Sequence, residues 1–535
     1  MKRHLFGLLS VTGLAVLAGC FSTTDTSEGG PEASGNAISA GDLDDAFATS
    51  ILAGGCAIEV EGSAGKTKGL GGTCPTKLSA ILDAIEAQPD RPQVFVVSEK
   101  ADRPDDTDAT FRFVVSSKSG GLPFYIAHVS VGGNISEDGV EAIGFSPTLQ
   151  AFAYYKVEGG RWVRHGDATQ VKSTTKGTDK PFECISCHTT GAPLMKELHD
   201  SWGNWTSTWD AVRGPKTQNA SFKRLFGKVE RADLLENIII DGIKKHSKGR
   251  VDRAKKEGKL KGVLTQLMCE VGEPSIIGAH NKNSSRMSNV STISTMLPGA
   301  IMLNQLFVPP RTGATGTELG LEQSLKLNVP SAGRLKVDAT AYASAVLSNG
   351  QTIGGQPGDT IFPMSSPEKS HADLDAVQEL LRQNLIDNEV VADALMTDYT
   401  VSAFSKFRCA LADTIPDTWD SPAALKRAWA ANLASSPLRG AKGLKVRLEK
   451  DDLTAHEQKL EAFANKCAER PAAEFTPDVL KIMSQRRVEF ENRYSNVVES
   501  DWLIPQDNLR STPGDIRFSK VCTIEKASNP FDGED

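Results

Sequence analysis

The stretch "FECISCHTTGAPLM", residues 182 to 195, places two thiols and an imidazole close together in the chain. Cys184 and Cys187 are separated by two residues, and His188 follows directly. Such a cluster can attach a haem covalently, exchange thiols and disulfides, or form half of a zinc site. Two thioether bonds to porphyrin vinyl groups need sulfurs about one turn apart, and the next imidazole then faces the iron. We therefore predict Cys184 and Cys187 as the covalent anchors of one haem c, and His188 as the axial iron ligand.

The two other chemistries remain as alternatives with weaker support. A thiol–disulfide oxidoreductase using Cys184 and Cys187 would place them on a strand-to-helix turn of a thioredoxin-like fold. No alternating strand and helix units surround the motif, and His188 would have no role. A zinc site would need two further ligands at comparable spacing, and the other cysteines and histidines are isolated.

The residues after His188, "TTGAPLM", resemble the stretch that follows the haem motif in many c-type cytochromes. In that family a proline carbonyl accepts the Nδ1 hydrogen of the axial histidine, which fixes its tautomer and raises its basicity. The resemblance covers only residues 182 to 195 and implies that Pro193 is this acceptor. The same residues would equally suit an ordinary helix start with proline in the first turn.

The sixth coordination position of the iron decides between carrying electrons and binding a small molecule. A methionine ligand would raise the potential, whereas an open position would permit binding or activation. Three tryptophans at 202, 205 and 209 could shield the haem or belong to an ordinary core. The candidate ligands, besides an open position, are Met268, Met296, Met302, Met364, His199 and His280.

The N-terminus has the pattern of an export signal. Lys2 and Arg3 precede an apolar run from Leu5 to Leu17, which is too short to span a bilayer comfortably. "LAGC", ending at Cys20, resembles the lipobox of bacterial lipoproteins, which implies cleavage before Cys20 and its acylation. An ordinary signal peptide is the alternative. Phe21 stands where an aspartate is linked to inner-membrane retention, so the analogy implies an outer-membrane anchor facing the periplasm or cell surface.

The formal net charge of −7 argues against nucleic acid as the main partner, because phosphate binding needs a basic face. Cleavage would remove Lys2 and Arg3 and make the side-chain balance more negative. Nine basic residues nevertheless lie between Lys244 and Lys261. They could dock an acidic redox partner or lipid headgroups, or form a solvated helix face.

The chain has nine cysteines. With Cys20 and the two motif cysteines set aside, six remain, and an even number in an oxidising compartment predicts disulfides. Cys56 with Cys74 is the specific pairing that we predict, because the Gly-rich loop between them could close easily. Buried thiols are the alternative for these six.

Hydrophobic patterning predicts the elements that carry the motif. After a short helix in "DLDDAFATSIL" and a helix at 75–88, short runs rich in Val, Phe, Tyr and Ile follow as far as position 166. They predict an antiparallel meander, with a tight hairpin at Glu158-Gly159-Gly160. Beyond the motif, helical spacing predominates. A capping box predicts a helix start at Thr454, and Pro477 in a first turn predicts Thr476 as another N-cap.

The predicted fold class is α+β: an N-terminal antiparallel sheet region with one helix, a c-type haem segment and a helix-rich C-terminal half. A chain of 535 residues is too long for a single core. We predict these boundaries: 1–19 signal peptide, 20–42 flexible tether, 43–175 sheet-rich domain, 176–305 haem-attachment segment and helices, 306–370 loop-rich region and 371–535 helical domain.

The functional prediction is an exported c-type cytochrome lipoprotein whose haem transfers single electrons to a redox partner protein. Its size exceeds what a minimal haem carrier needs, which motivates a second hypothesis. An oxidase or peroxidase-like enzyme would use an open iron position and hold its substrate on the additional domains. A third is a surface binding protein in which the haem is structural or sensory.

Overall fold

The structure is a computed structural model. It describes residues 38–39, 43–52, 56–60, 74–98, 111–130, 139–170, 184, 188, 190–193, 224, 229–269, 275–277, 302–304, 306–307, 325, 327–338, 340, 366–368, 371–401, 405–493 and 516–530.

Nine strands form one mixed sheet. They are β1 (Ile38–Ser39), β2 (Ala57–Val60), β3 (Gln93–Ser98), β4 (Phe111–Ser119), β5 (Leu122–Ser130), β6 (Val140–Ser146), β7 (Ala151–Glu158), β8 (Arg161–Asp167) and β9 (Val229–Arg231). Their spatial order is β1-β2-β8-β7-β6-β5-β4-β3-β9. Four further strands form two small antiparallel pairs, β10 (Ser275–Ile277) with β11 (Ser366–Glu368) and β12 (Ile516–Phe518) with β13 (Ile524–Lys526).

Eleven α-helices lie in the described part of the chain. Two lie in the sheet region, α1 (Ala46–Ile51) and α2 (Leu78–Glu86), where the predicted fold class counted one. The others are α3 (Ala232–Glu257), α4 (Leu260–Met268), α5 (His371–Arg382), α6 (Asn388–Leu395), α7 (Lys406–Leu411), α8 (Pro422–Ala434), α9 (Ala441–Leu448), α10 (Leu453–Ala468) and α11 (Ala472–Arg493). The predicted α+β class is confirmed.

Strands β3 to β8 form the predicted antiparallel meander, each paired with its neighbour in sequence. Gly159 and Gly160 join β7 to β8 with φ angles of 55° and 77°, the left-handed conformation that a tight hairpin with glycines adopts. Two edge pairs are parallel instead: β2 with β8 and β3 with β9. Alternation along one strand cannot predict these pairs, because they join segments far apart in sequence.

The sheet buries side chains on both faces. Along β7, Ala153 and Tyr155 point into a core covered by α1 and α2, whereas Phe152 and Tyr154 point into a second core. This alternation follows from the two-residue period of a strand. Residues Leu235, Ile239 and Ile243 of α3 belong to the second core, so α3 covers the face opposite to α1 and α2.

Helices α4 to α11 surround a third and larger apolar core. Two of their starts differ from the prediction. Asp452, rather than Thr454, caps α10, and its side chain accepts from Ala455 N at 3.0 Å. Helix α11 begins at Ala472, so Pro477 lies inside the helix and Thr476 is no N-cap. The Thr476 hydroxyl instead donates to the Ala472 carbonyl at 2.7 Å.

The six remaining cysteines form three disulfides: Cys56–Cys74, Cys269–Cys409 and Cys467–Cys522. The specific pairing of Cys56 with Cys74 is confirmed, and so is the use of all six in disulfides. The other two bonds close 140 and 55 residues of chain, which sequence spacing could not select among the possible pairings.

Within the part of the chain that the structure describes, the helices are all too short or too polar to be candidates for crossing a bilayer.

Candidate haem-attachment site

The motif packs on the sheet face that α3 covers. Cys184 is half-buried and contacts the second apolar core, and Ala192 is fully buried within it. This core is rich in aromatic side chains, including Phe152 and Tyr154 of β7. The surroundings of the motif are therefore an apolar and aromatic wall, of the kind that keeps water from the face of a macrocycle.

A backbone hydrogen bond of helical spacing joins Cys184 to His188. The backbone N–H of His188 donates to the Cys184 carbonyl at 2.9 Å, the spacing of an α-helical hydrogen bond. Side chains four residues apart lie on the same side of such a turn. Cys184 is present as a thiol, so sulfur and imidazole can approach one ligand from the same side.

The His188 ring has one nitrogen directed at the backbone. Its Nδ1 lies 3.0 Å from the Ala192 carbonyl oxygen. Because a carbonyl only accepts hydrogen bonds, Nδ1 carries the proton and Nε2 carries the lone pair of a neutral ring. This is the tautomer that binds a metal through Nε2. The ring also lies 5.4 Å from that of Tyr154, tilted by 39°.

The carbonyl that fixes His188 belongs to Ala192, one residue before the predicted acceptor Pro193. A turn explains the shift, because Gly191 N donates to the His188 carbonyl at 2.8 Å and Gly191 has a φ of 76°. The chain thereby returns the Ala192 carbonyl to the ring. Pro193 packs instead on α3: a Cβ at Gly242 would lie 3.2 Å from its Cγ. Pro193 is thus a packing residue in the structure.

Burial shapes the electrostatics around the motif. Burial, followed by the proximity of the ionisable Cys184 and Asp167 side chains, raises the pKa of Tyr154 well above its usual range. Burial also raises the pKa of Tyr125, with a smaller contribution from Asp241. Both phenols therefore stay protonated at physiological pH, and the wall beside the motif carries no phenolate charge.

A residue that the sequence did not indicate, His246 of α3, contacts the same segment. It is fully buried, and its Nε2 lies 3.0 Å from the Thr190 carbonyl oxygen. Two interior glycines of α3 could have signalled this close approach. A Cβ at Gly249 would lie 1.9 Å from the Gln150 carbonyl oxygen, and one at Gly242 would lie 2.7 Å from the Tyr125 hydroxyl.

Two predicted distal ligands lie in the helical core instead of the core that holds Cys184. Met268 and Met302 are fully buried there among apolar side chains. The remaining predictions, namely Cys20, Cys187, Met296, Met364, His199, His280 and Trp202, Trp205 and Trp209, lie outside the described residues. Among those described, His, Cys, Asp and Glu form no group of three or more placed to hold a metal ion.

The basic run from Lys244 to Lys261 divides between interior and surface. Arg253 donates to the Leu149 and Gln150 carbonyls at 3.0 and 2.7 Å, and Arg250 lies 3.6 Å from the Asp373 carboxylate. These two arginines fasten α3 to its neighbours. Lys255, Lys256 and Lys259 are exposed.

No protein-family model, no curated protein and no solved structure matches this chain.

Proposed function

We propose that this chain carries one covalent c-type haem and transfers single electrons through its iron. The observation that carries the proposal is the arrangement of His188, whose backbone N–H donates to the Cys184 carbonyl and whose Nδ1 is held by the Ala192 carbonyl. That arrangement leaves Nε2 as the donor atom that an axial iron ligand needs.

The side chains of the motif would have separate roles. The Cys184 and Cys187 thiols would each add across a vinyl group of the porphyrin, the sulfur bonding one carbon and the hydrogen going to the other. His188 would donate its Nε2 lone pair to the iron. When bound, the haem supplies the one-electron couple. The aromatic core beside Cys184 would exclude water and so help to set the potential.

We also propose that Cys20 is acylated and anchors the chain to the outer membrane, facing the periplasm or cell surface, where a redox partner protein meets it. The "LAGC" sequence supports this proposal. Labelling cells with a fatty acid should mark the wild-type chain and leave Cys20→Ser unlabelled. Equal labelling of both chains would contradict acylation at Cys20 and leave the haem proposal unaffected.

The decisive experiment is to produce the protein with cytochrome c assembly factors and measure its mass and absorption spectrum. We expect the mass of the chain plus one haem that resists acid extraction, and a low-spin spectrum. His188→Ala should abolish the normal spectrum, and Cys184→Ser should remove one thioether. The matched control is His165→Gln on β8, where His165 Nε2 lies 3.0 Å from Glu158; it should keep the wild-type spectrum.

Other results would favour the alternatives. A high-spin spectrum that shifts with peroxide or carbon monoxide would favour an oxidase or peroxidase-like enzyme. A haem that binds ligands but is redox-silent would favour a sensory role. A colourless protein with a reducible Cys184–Cys187 disulfide would overturn the haem proposal and favour thiol–disulfide exchange.

A further inference from the structure

His246 is a fully buried histidine with one hydrogen bond directed at the motif. Its Nε2 lies 3.0 Å from the Thr190 carbonyl oxygen and therefore carries the ring proton. Within the described residues its buried Nδ1 has no hydrogen-bond partner. The hydrogen-bonding group that His246 uses is therefore the Nε2–H of a neutral ring.

The surroundings keep this ring neutral. Burial, followed by the positive charges of Arg250 and Arg253, lowers the pKa of His246 well below its usual range. Phe152 lies beside it, with ring centroids 6.3 Å apart. His246 is thus a fixed, uncharged donor on α3.

The hydrogen bond reaches the segment that orients His188. Thr190 lies two residues after His188 and two before Ala192, whose carbonyl accepts from His188 Nδ1. Within this segment the Ala192 N–H donates to the Thr190 hydroxyl at 3.2 Å. The segment is therefore joined to α3 by the bond from His246 and by the packing of Pro193 against Gly242. Displacing the Thr190 carbonyl would displace the Ala192 carbonyl with it.

Packing alone does not account for an imidazole at this position. A buried nitrogen without a partner is unfavourable, typically by ~1–3 kcal/mol, and an aliphatic side chain would avoid it. The polar ring is explained if its one donor is needed where it lies.

We propose that His246 is a positioning residue for the haem: its Nε2–H fixes the Thr190 carbonyl, and through it the Ala192 carbonyl that orients and polarises His188. This inference rests on the proposed haem function. A strong hydrogen bond at Nδ1 makes the ligand more basic and favours ferric iron. Loss of the His246 donor therefore raises the reduction potential of the haem.

The test compares His246→Leu, which removes the donor, with His246→Gln, whose side-chain amide can replace it. Potentiometric titration of haem-loaded protein should show a roughly tenfold change in the ratio of reduced to oxidised haem for His246→Leu at fixed ambient potential. That is an upward shift of about 59 mV for a one-electron couple. His246→Gln should return the potential close to the wild-type value.

The matched control is His456→Leu, which removes another buried histidine whose Nε2 makes a hydrogen bond, in the helical core. It should lower stability and leave the potential unchanged. If His246→Leu does not fold, His246→Gln is compared with His246→Asn instead. The asparagine side chain is shorter, so its amide donor reaches less far towards the Thr190 carbonyl. Wild-type potentials in all the His246 variants would overturn the inference while leaving the haem intact. A wild-type protein without covalent haem would instead overturn the proposed function.

Discussion

Two buried histidines, one in the helical core and one in the helix α3 that covers the sheet, have different partners. His456 of α10 lies with its Nε2 2.7 Å from the Asp393 carboxylate. Among the described residues, the hydrogen-bond partner of His246 in α3 is the Thr190 backbone carbonyl, at 3.0 Å. The group that holds the ring is thus a carboxylate for His456 and a backbone carbonyl for His246.

The same contrast extends to other buried polar groups. In the helical region Arg517 lies 2.8 Å from Asp398, and Arg447 donates to the Asp393 carbonyl at 2.9 Å. Two disulfides of long chain separation join distant elements there. The sheet region has one disulfide of short separation and places the motif against an aromatic wall. The helical region is thus crosslinked over long stretches of chain, whereas the candidate motif lies against the sheet.

The largest expected effect is the loss of stability when a disulfide is removed, and this loss differs between the two regions. In the chain-entropy description, closing 140 residues by Cys269–Cys409 stabilises by about 5 kcal/mol, and closing 18 residues by Cys56–Cys74 by about 3 kcal/mol. Replacing each pair with alanine should lower the free energy of unfolding in that order. Denaturant unfolding of the two double variants measures it. A greater loss from the Cys56–Cys74 pair would contradict the comparison.

The next effect concerns His456. Replacing it with leucine leaves the Asp393 carboxylate buried without its imidazole partner, and the loss of one partner from a buried pair typically lowers stability by about 3–5 kcal/mol. His456→Gln keeps a donor and should lose less. Thermal or denaturant unfolding followed by far-UV circular dichroism is the measurement. Equal losses in both variants would show that packing, not the pair, explains His456.

The smallest effect is a pH dependence in the sheet region. Asp45 caps α1, accepts from Phe47 N and Ala48 N, and receives the Tyr155 hydroxyl. Burial raises the pKa of Asp45 to about 6 from 3.8. A carboxyl with a raised pKa binds its proton more tightly when folded, so its contribution is fully present below pH 4 and is lost as pH rises through 6. At about 1.4 kcal/mol per pKa unit, the loss amounts to about 3 kcal/mol.

Asp45→Asn should remove this slope, which denaturant unfolding between pH 4 and pH 7 would detect. Asp44 provides the control, since its carboxylate accepts from the Ser146 hydroxyl and Thr148 N. Although burial opposes them, these hydrogen bonds lower the pKa of Asp44, so its contribution is lost as pH falls instead. Because a lowered pKa places this loss below about pH 4, Asp44→Asn should leave the slope between pH 4 and pH 7 unchanged. A pH profile unchanged by Asp45→Asn would contradict the buried-acid interpretation.

The local features of the fold were predictable because they depend on neighbours in sequence. The meander from β3 to β8, the glycine hairpin after Glu158 and the Cys56–Cys74 bond all arise within short stretches. The N-terminus of α10 was predicted two residues late, because Asp452 competes with Thr454 for the cap and lies closer to the start. Pro477 was also a misleading signal, because α11 begins five residues before it, at Ala472, and carries the proline inside the helix.

The residues of the candidate site also divide into those that local sequence predicts and those that it does not. Residues Cys184 and His188 are recognisable from their spacing, because they are four positions apart and a single backbone hydrogen bond joins them. The carbonyl that accepts from His188 belongs to Ala192 because the turn at Gly191 folds the chain back. The sequence pattern indicated the next residue, Pro193, since it does not fix the geometry of that turn. His246 lies 58 residues after His188, and no local pattern connects them.

By itself the sequence determined the α+β class, the meander from β3 to β8 and the three residues that could hold a haem, since each depends on alternation or spacing over a few positions. Only the tertiary structure decided which carbonyl orients His188, that α3 brings His246 to Thr190, and that Met268 and Met302 lie in another core. The physical reason is that burial and hydrogen bonding between distant segments are set by how whole elements pack, and a side chain's sequence neighbours carry no record of that packing.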